Sequence, residues 1–151
     1  CLLTMHRAEN TTEEVLSKRI RQIRELDFKV IYPIHPRTKK CLNKYEIDIP
    51  DNLQVIEPVG WLELMGLIRF SHFVLTDSGG LQKEALWHKK YCFTLRNETE
   101  WNETVMQKVN ILVKENEKID LNSMKDGDFL NPYYSKNVSS KIANTINNSV
   151  L

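Results

Sequence analysis

Thr76-Asp77-Ser78-Gly79-Gly80-Leu81-Gln82-Lys83-Glu84 follows directly on the apolar run His72–Thr76, HFVLT. A short run rich in branched and aromatic residues reads as a buried strand. Leu81–Lys89 reads as a helix, entered through Ser78-Gly79-Gly80. Two glycines at such a junction let the chain turn tightly and bring its backbone close to a ligand. The first N–H groups of the helix and the positive end of its dipole face the same spot. That arrangement suits a phosphate or diphosphate. Ser78 can cap the helix or donate its hydroxyl to a phosphate oxygen. Glu84, one turn in, can accept hydrogen bonds from ribose hydroxyls. Taken alone, the segment reads equally well as a plain turn and N-cap, with Glu84 a solvated helix residue.

The pattern repeats outward from this segment. Cys1–Met5 (CLLTM), Lys29–Ile34 (KVIYPI), Leu53–Glu57 (LQVIE), Tyr91–Leu95 (YCFTL) and a short Ile111–Val113 read as further strands. Between them lie stretches of helical spacing. The first starts at Thr11 or Thr12, with Glu14 placed for a capping box with Thr11, and runs through Val15, Leu16, Ile20, Ile23 and Leu26. Arg37–Tyr45 reads as a short polar helix after Pro36, and Trp61–Phe70 as a helix with Leu64, Met65, Leu67 and Ile68 on one face. Ser135–Val150 reads as a polar helix with Val138, Ile142 and Ile146 every four residues. Strands alternating with helices at this spacing predict βαβ units, a parallel sheet and right-handed crossovers. The expected fold is one Rossmann-like, doubly wound α/β domain.

Composition narrows the function. A chain of 151 residues suits one domain with a sizeable core. Lys and Arg number 21 against 20 Asp and Glu, a net charge of +1, so no overall pull toward nucleic acid is expected. No apolar run approaches the ~20 residues that span a bilayer, so no membrane partner is expected. Three scattered cysteines form no CxxC and fit a reducing cytoplasm better than a disulfide framework. Neither a metal nor a cofactor is expected. The chain opens at Cys1, inside an apolar run, and reads as a piece of a longer protein.

In an open parallel sheet, ligands bind at the carboxyl ends of the strands. Three polar clusters fall at such ends: His6-Arg7, His35-Pro36-Arg37 and Asp77-Ser78-Gly79-Gly80. His6 and Arg7 offer a titratable donor and a fixed cation to a phosphate-bearing substrate; as a surface turn they would do neither. His35 reads as structural, and His72 and His88 as bystanders. Arg96 precedes Asn97-Glu98-Thr99-Glu100-Trp101, a charged loop that can close over a sugar nucleotide or simply cover the surface.

These segments resemble a known family when taken together. Thr4-Met5-His6-Arg7-Ala8-Glu9-Asn10, Pro33–Thr38 (PIHPRT), Glu57–Leu62 (EPVGWL), Leu75–Ala85 (LTDSGGLQKEA) and Thr94–Trp101 (TLRNETEW) resemble, in order and spacing, the non-hydrolysing UDP-GlcNAc 2-epimerases. Asn131-Pro132-Tyr133 resembles a late Asn-Pro-Tyr-Gly segment of the same family. The resemblance implies the C-terminal half of a glycosyltransferase-B-type pair of Rossmann-like domains, with an absent N-terminal domain as partner and a possible homodimer. It implies that Ser78, Gly79 and Gly80 hold the diphosphate of a UDP-sugar and Glu84 the ribose. Main-chain groups around Val59 and Leu64 would hold the uracil. His6 would stand beside the leaving diphosphate as the catalytic residue of this half, with Arg7, Arg96 and Trp101 in support.

The reaction it implies eliminates UDP across C1 and C2 and adds it back with C2 inverted. The acid/base carboxylates would belong to the other domain, so residues 1–151 alone are expected to bind UDP weakly and not to epimerise. Trp101 stands where many relatives have Arg, a version that resembles archaeal members and the branch acting on UDP-2,3-diacetamido-glucuronate. His88-Lys89-Lys90-Tyr91 replaces the usual Gly-x-Pro, and Tyr134 stands where a Gly is expected. Two other classes remain open at this point: the nucleotide half of a UDP-sugar glycosyltransferase, and a non-catalytic UDP-sugar-binding domain.

Overall fold

The computed structural model describes residues 1–149. Six short strands are β1 (Leu2–Thr4), β2 (Val30–Pro33), β3 (Leu53–Ile56), β4 (Phe73–Thr76), β5 (Tyr91–Thr94) and β6 (Asn110–Leu112). They form one sheet, all pairs parallel, in the order β3-β2-β1-β4-β5-β6. The connecting helices are α1 (Glu13–Arg24), α2 (Pro36–Lys44), α3 (Trp61–Phe70), α4 (Gly79–Trp87) and α5 (Asn102–Met106), with α6 (Val138–Ser149) at the end. The doubly wound, Rossmann-like α/β fold expected from the alternation is the fold observed.

Period-two alternation in the strands sorts side chains between two cores. Leu3, Phe73, Leu75 and Phe93 point to the face covered by α1 and α2, where they meet Leu16, Ile20, Ile23 and Leu42. Leu2, Val74 and Cys92 point to the other face, against Ile68 of α3 and Leu81 and Ala85 of α4. Burying each such side chain contributes about 1.5–3 kcal/mol. β4 is buried at all four positions, as a central strand covered on both sides must be.

The strand order fixes where a ligand can sit. The chain runs outward from β1 to β3, then returns through α3 to lay β4 on the other side of β1. The topological switch point is therefore the gap between β1 and β4, where open parallel sheets bind ligands. The two strands pair in register through Leu2–Val74, Leu3–Leu75 and Thr4–Thr76. The Thr4 and Thr76 hydroxyls lie 2.6 Å apart at the carboxyl end. The segments leaving there are His6-Arg7 and Asp77–Gly80.

The structure corrects several sequence expectations. The capping box between Thr11 and Glu14 does not form. The chain first makes a 3-10 turn, Ala8–Thr11, which buries Asn10 and Thr11. The Thr11 hydroxyl donates back to the Ala8 carbonyl at 3.1 Å, and Glu14 pairs with Lys18 Nζ at 2.8 Å. Thr12 is the N-cap, without a side-chain cap bond. α4 begins two residues earlier than expected, with Gly79 and Gly80 inside its first turn, and α5 is a short helix with no counterpart among the sequence expectations. The last helix starts at Val138, three residues later than expected, and runs to Ser149, whereas Val150 lies outside the described residues. No helix among the described residues is long and apolar enough to cross a membrane.

Candidate functional site

The site is built around the start of α4. Ser78 is the N-cap; its hydroxyl accepts from the Leu81 N–H at 3.5 Å, while its own N–H donates to Thr76 Oγ1 at 2.9 Å. None of the described glycines has a positive φ, so the paired glycines do not serve a left-handed turn. Their reason is space. A Cβ on Gly79 would collide with the Glu100 carboxylate and lie 3.5 Å from Trp101 Nε1. A Cβ on Gly80 would have only Ser78 Oγ within 4 Å, at 3.9 Å, so Gly80 leaves an exposed backbone open to an incoming group.

Glu84 is one turn further along α4 and half-buried. Its Oε1 accepts from the indole N–H of Trp61 at 3.2 Å, which ties α4 to the start of α3. Val59 and Leu64 belong to that start. The Leu64 N–H is already engaged with the Gly60 carbonyl at 2.9 Å. The Gly60 N–H is taken by Glu63 Oε2 at 2.8 Å, so the donors left for a ligand on this turn are the first amides of the helix, from Trp61 to Glu63. Val59, Leu64, Glu84 and the Ser78–Gly80 turn thus lie along adjacent helix starts, at the carboxyl ends of β3 and β4.

The loop after β5 closes over the other side. Trp101 donates from Nε1 to the Gly79 carbonyl at 2.8 Å. Lys83 Nζ lies 4.0 Å from the Trp101 ring centroid, and Tyr133 packs edge-on against the same ring at 5.5 Å. Gln82 fastens the loop from beneath, accepting from the Thr99 hydroxyl at 2.6 Å and from Asn110 Nδ2 at 2.8 Å, and donating to the Ser78 carbonyl at 3.3 Å. The Asn-Pro-Tyr segment and Trp101 therefore brace one turn of backbone.

The charges meet at Glu100. Its Oε2 is 2.7 Å from Arg96 Nη1, and its Oε1 is 3.9 Å from Arg7 Nη2. A hydrogen bond from its own backbone, together with Arg96 and Arg7, holds the Glu100 carboxyl below the usual carboxylate range. Arg7 and Arg96 are thus brought together next to Gly79, although β1 and β5 flank β4 from opposite sides. A cavity of about 570 Å³ opens beside them, lined by Arg7, Asn10, Arg19 and Arg96 among others; Ser78, Gly79 and Gly80 lie outside its lining.

His6 leaves β1 with its side chain 43% exposed. His35 is the N-cap of α2, its Nδ1 accepting from the Arg37 N–H at 3.1 Å, which is the structural role expected of it. Its ring nonetheless lies 5.7 Å from that of His6. Beneath both is a group that sequence reading leaves without a role. Asp77 is fully buried and accepts from the backbone N–H groups of His6 and Arg7 and from Asn10 Nδ2. Asn10 Oδ1 in turn accepts from Arg19 Nε at 3.2 Å. Arg19 is only 3% exposed, and burial holds its guanidinium below the usual range, opposed by Glu115 and Asp77. One signal could have found Arg19: it falls three after Leu16 and four before Ile23, on the apolar stripe of α1. Among the described residues, no group of His, Cys, Asp and Glu is arranged to hold a metal ion.

Comparisons with known proteins bear on this arrangement. A family model described as UDP-N-acetylglucosamine 2-epimerase matches residues 1–147. A UDP-N-acetylglucosamine 2-epimerase homolog of Methanococcus maripaludis is 50% identical over 122 residues, covering 78% of this chain and 34% of that protein. The UDP-2,3-diacetamido-2,3-dideoxy-D-glucuronate 2-epimerase of Pseudomonas aeruginosa is 43% identical over 116 residues, covering 74% of this chain and 32% of that protein. The crystal structure of Methanocaldococcus jannaschii UDP-GlcNAc 2-epimerase in complex with UDP-GlcNAc and UDP superposes with a TM-score of 0.85 at 36% identity. That match covers 97% of this chain and 44% of the solved one. The chain thus spans about a third of the length of these curated relatives.

Proposed function

The chain belongs to the UDP-N-acetylglucosamine 2-epimerase family, and from that premise we propose that it holds the UDP part of a UDP-N-acetylhexosamine. The enzyme it serves inverts C2 by eliminating UDP and adding it back. The observation that supports this best is the opening of α4 at the topological switch point, with unobstructed backbone at Gly80 and a carboxylate one turn in at Glu84. Helix amides at Gly79 and Gly80 and the Ser78 hydroxyl take the diphosphate. Glu84 takes the ribose, and the start of α3 around Val59 and Leu64 takes the uracil. Arg7 and Arg96 supply positive charge beside the phosphates, where charge develops as UDP departs.

Residues 1–151 form, in this reading, the C-terminal nucleotide-binding domain of a larger cytoplasmic protein that works as a homodimer. Abstracting the weakly acidic C2 proton needs a positioned base, which the remaining domain supplies. His6, at the exit of β1, exchanges a proton beside the leaving group.

The reading is tested by titrating UDP into the chain and into the S78A and E84A variants. Each substitution removes one hydrogen bond to the nucleotide, in one case to a charged phosphate, and should weaken binding by roughly 1.5–3 kcal/mol. Unchanged affinity in both variants would defeat it. G80A gives a check with two signs. A Cβ there meets no obstacle in the free chain and should add roughly 0.5–1 kcal/mol to folding stability, by removing glycine's conformational freedom. The same methyl group obstructs close approach of a phosphate, so UDP affinity should fall while the denaturation midpoint rises. A G80A chain that binds UDP as well as the wild type would remove the Gly80 backbone from the site.

A further inference from the structure

Asp77 lies at the carboxyl end of the central strand with 0% of its surface exposed. A carboxylate withdrawn from water needs hydrogen bonds to replace its hydration. They come from one segment: Oδ2 accepts from the Arg7 N–H at 2.8 Å, the His6 N–H at 3.0 Å and Asn10 Nδ2 at 3.1 Å. Oδ1 is left facing His6, 3.2 Å from its backbone N–H and 3.4 Å from Nδ1 of its imidazole. Asp77 also immediately precedes Ser78. A single carboxylate therefore joins the segment bearing His6 to the turn that opens α4.

The two oxygens do different work. Oδ2 is crowded with donors and anchors the backbone. Oδ1 has room for the imidazole, and a carboxylate can only accept. A ring nitrogen facing it carries the proton, and the partner of one ring nitrogen decides the state of the other. We propose that Asp77 is a positioning residue that fixes the Nδ1-protonated tautomer of His6 and so leaves Nε2 as the nitrogen that exchanges protons with the bound ligand. The identity of that ligand rests on the UDP-sugar reading above, whereas the tautomer does not.

D77N makes the test sharp. With three donors gathered at Oδ2, the amide oxygen of Asn belongs there, and its NH2 group takes the place of Oδ1. An NH2 group facing the imidazole demands a bare Nδ1, so His6 should switch to the Nε2-protonated tautomer, as the histidine of a catalytic triad does when its Asp becomes Asn. The measurement is the set of imidazole 15N–1H correlations of the 151-residue chain in alkaline buffer, where a free imidazole is neutral. In the wild type, His6 should show a protonated Nδ1 and a bare Nε2. In D77N the two should exchange character, while His35, capping α2 through its own Nδ1, stays as it was.

An Nε2-protonated His6 in the wild type, or an unchanged tautomer in a folded D77N chain, overturns the proposal. The wild-type spectrum alone decides it if D77N does not fold. Adding UDP to the same wild-type sample separates the two readings. A correct tautomer with no response to UDP anywhere supports the Asp77 assignment and defeats the nucleotide reading; the opposite pairing does the reverse.

Discussion

Replacing His6 by Ala should lower the epimerisation kcat by roughly 100- to 10,000-fold, the span of a lost general acid or base. The geometry behind that figure is specific. His6 leaves the strand adjacent to β4 at the switch point, its ring is half-exposed, and Asp77 Oδ1 lies 3.4 Å from its Nδ1. In the proposed function it gives a proton to, or takes one from, the diphosphate as the bond to C1 breaks and re-forms. A KM that moves little while kcat collapses would identify a group acting mainly in the transition state. The assay needs a protein that joins this chain to the portion its relatives carry beyond it. A kcat within about tenfold of the wild type would take His6 out of the chemistry.

Arg19→Met should cost roughly 3–5 kcal/mol of folding stability, measured by chemical denaturation, because it leaves a buried charge without its counterpart. The guanidinium reaches Asn10 Oδ1 at 3.2 Å, the Val113 carbonyl at 3.0 Å and Gln22 Oε1 at 3.1 Å. Asn10 passes the interaction on to Asp77. Arg19 and Asp77 are thus two buried charges linked through one amide side chain. Removing the cation takes a favourable charge away from Asp77 and Glu115 and leaves three acceptors without their donor. Arg24, on the same helix but half-exposed, bonds Asp48 at 3.0 Å on the surface, and R24A should cost less than about 1 kcal/mol. Equal losses for the two variants would mean that Arg19 is no more than a packed side chain.

The contrast shows which parts of the molecule sequence could disclose. Strand and helix periods are local, so VIYP, FVLT and YCFT announced themselves, and the order of elements implied the parallel sheet. The cap at Ser78 and the place of Glu84 on the following helix were legible because capping and helix spacing are local as well. The purpose of the glycines was not, since the atom that excludes a side chain at Gly79 belongs to Glu100, 21 positions away and on another strand's loop. Asp77 read as part of a turn because its donors lie 67 to 71 residues earlier. Arg19 drew no reading from the sequence, because its partners Asn10 and Val113 are brought to it only by the fold. The failed capping box has the same origin: Thr11 is drawn into a 3-10 turn that buries it together with Asn10, and tertiary packing overrides a local preference.

The most direct measurement is a crystal of the chain soaked with UDP. The account predicts diphosphate oxygens about 2.7–3.2 Å from the Gly79 and Gly80 amide nitrogens, with the ribose against Glu84. Nucleotide bound elsewhere, or a start of α4 left empty at saturating UDP, would contradict it.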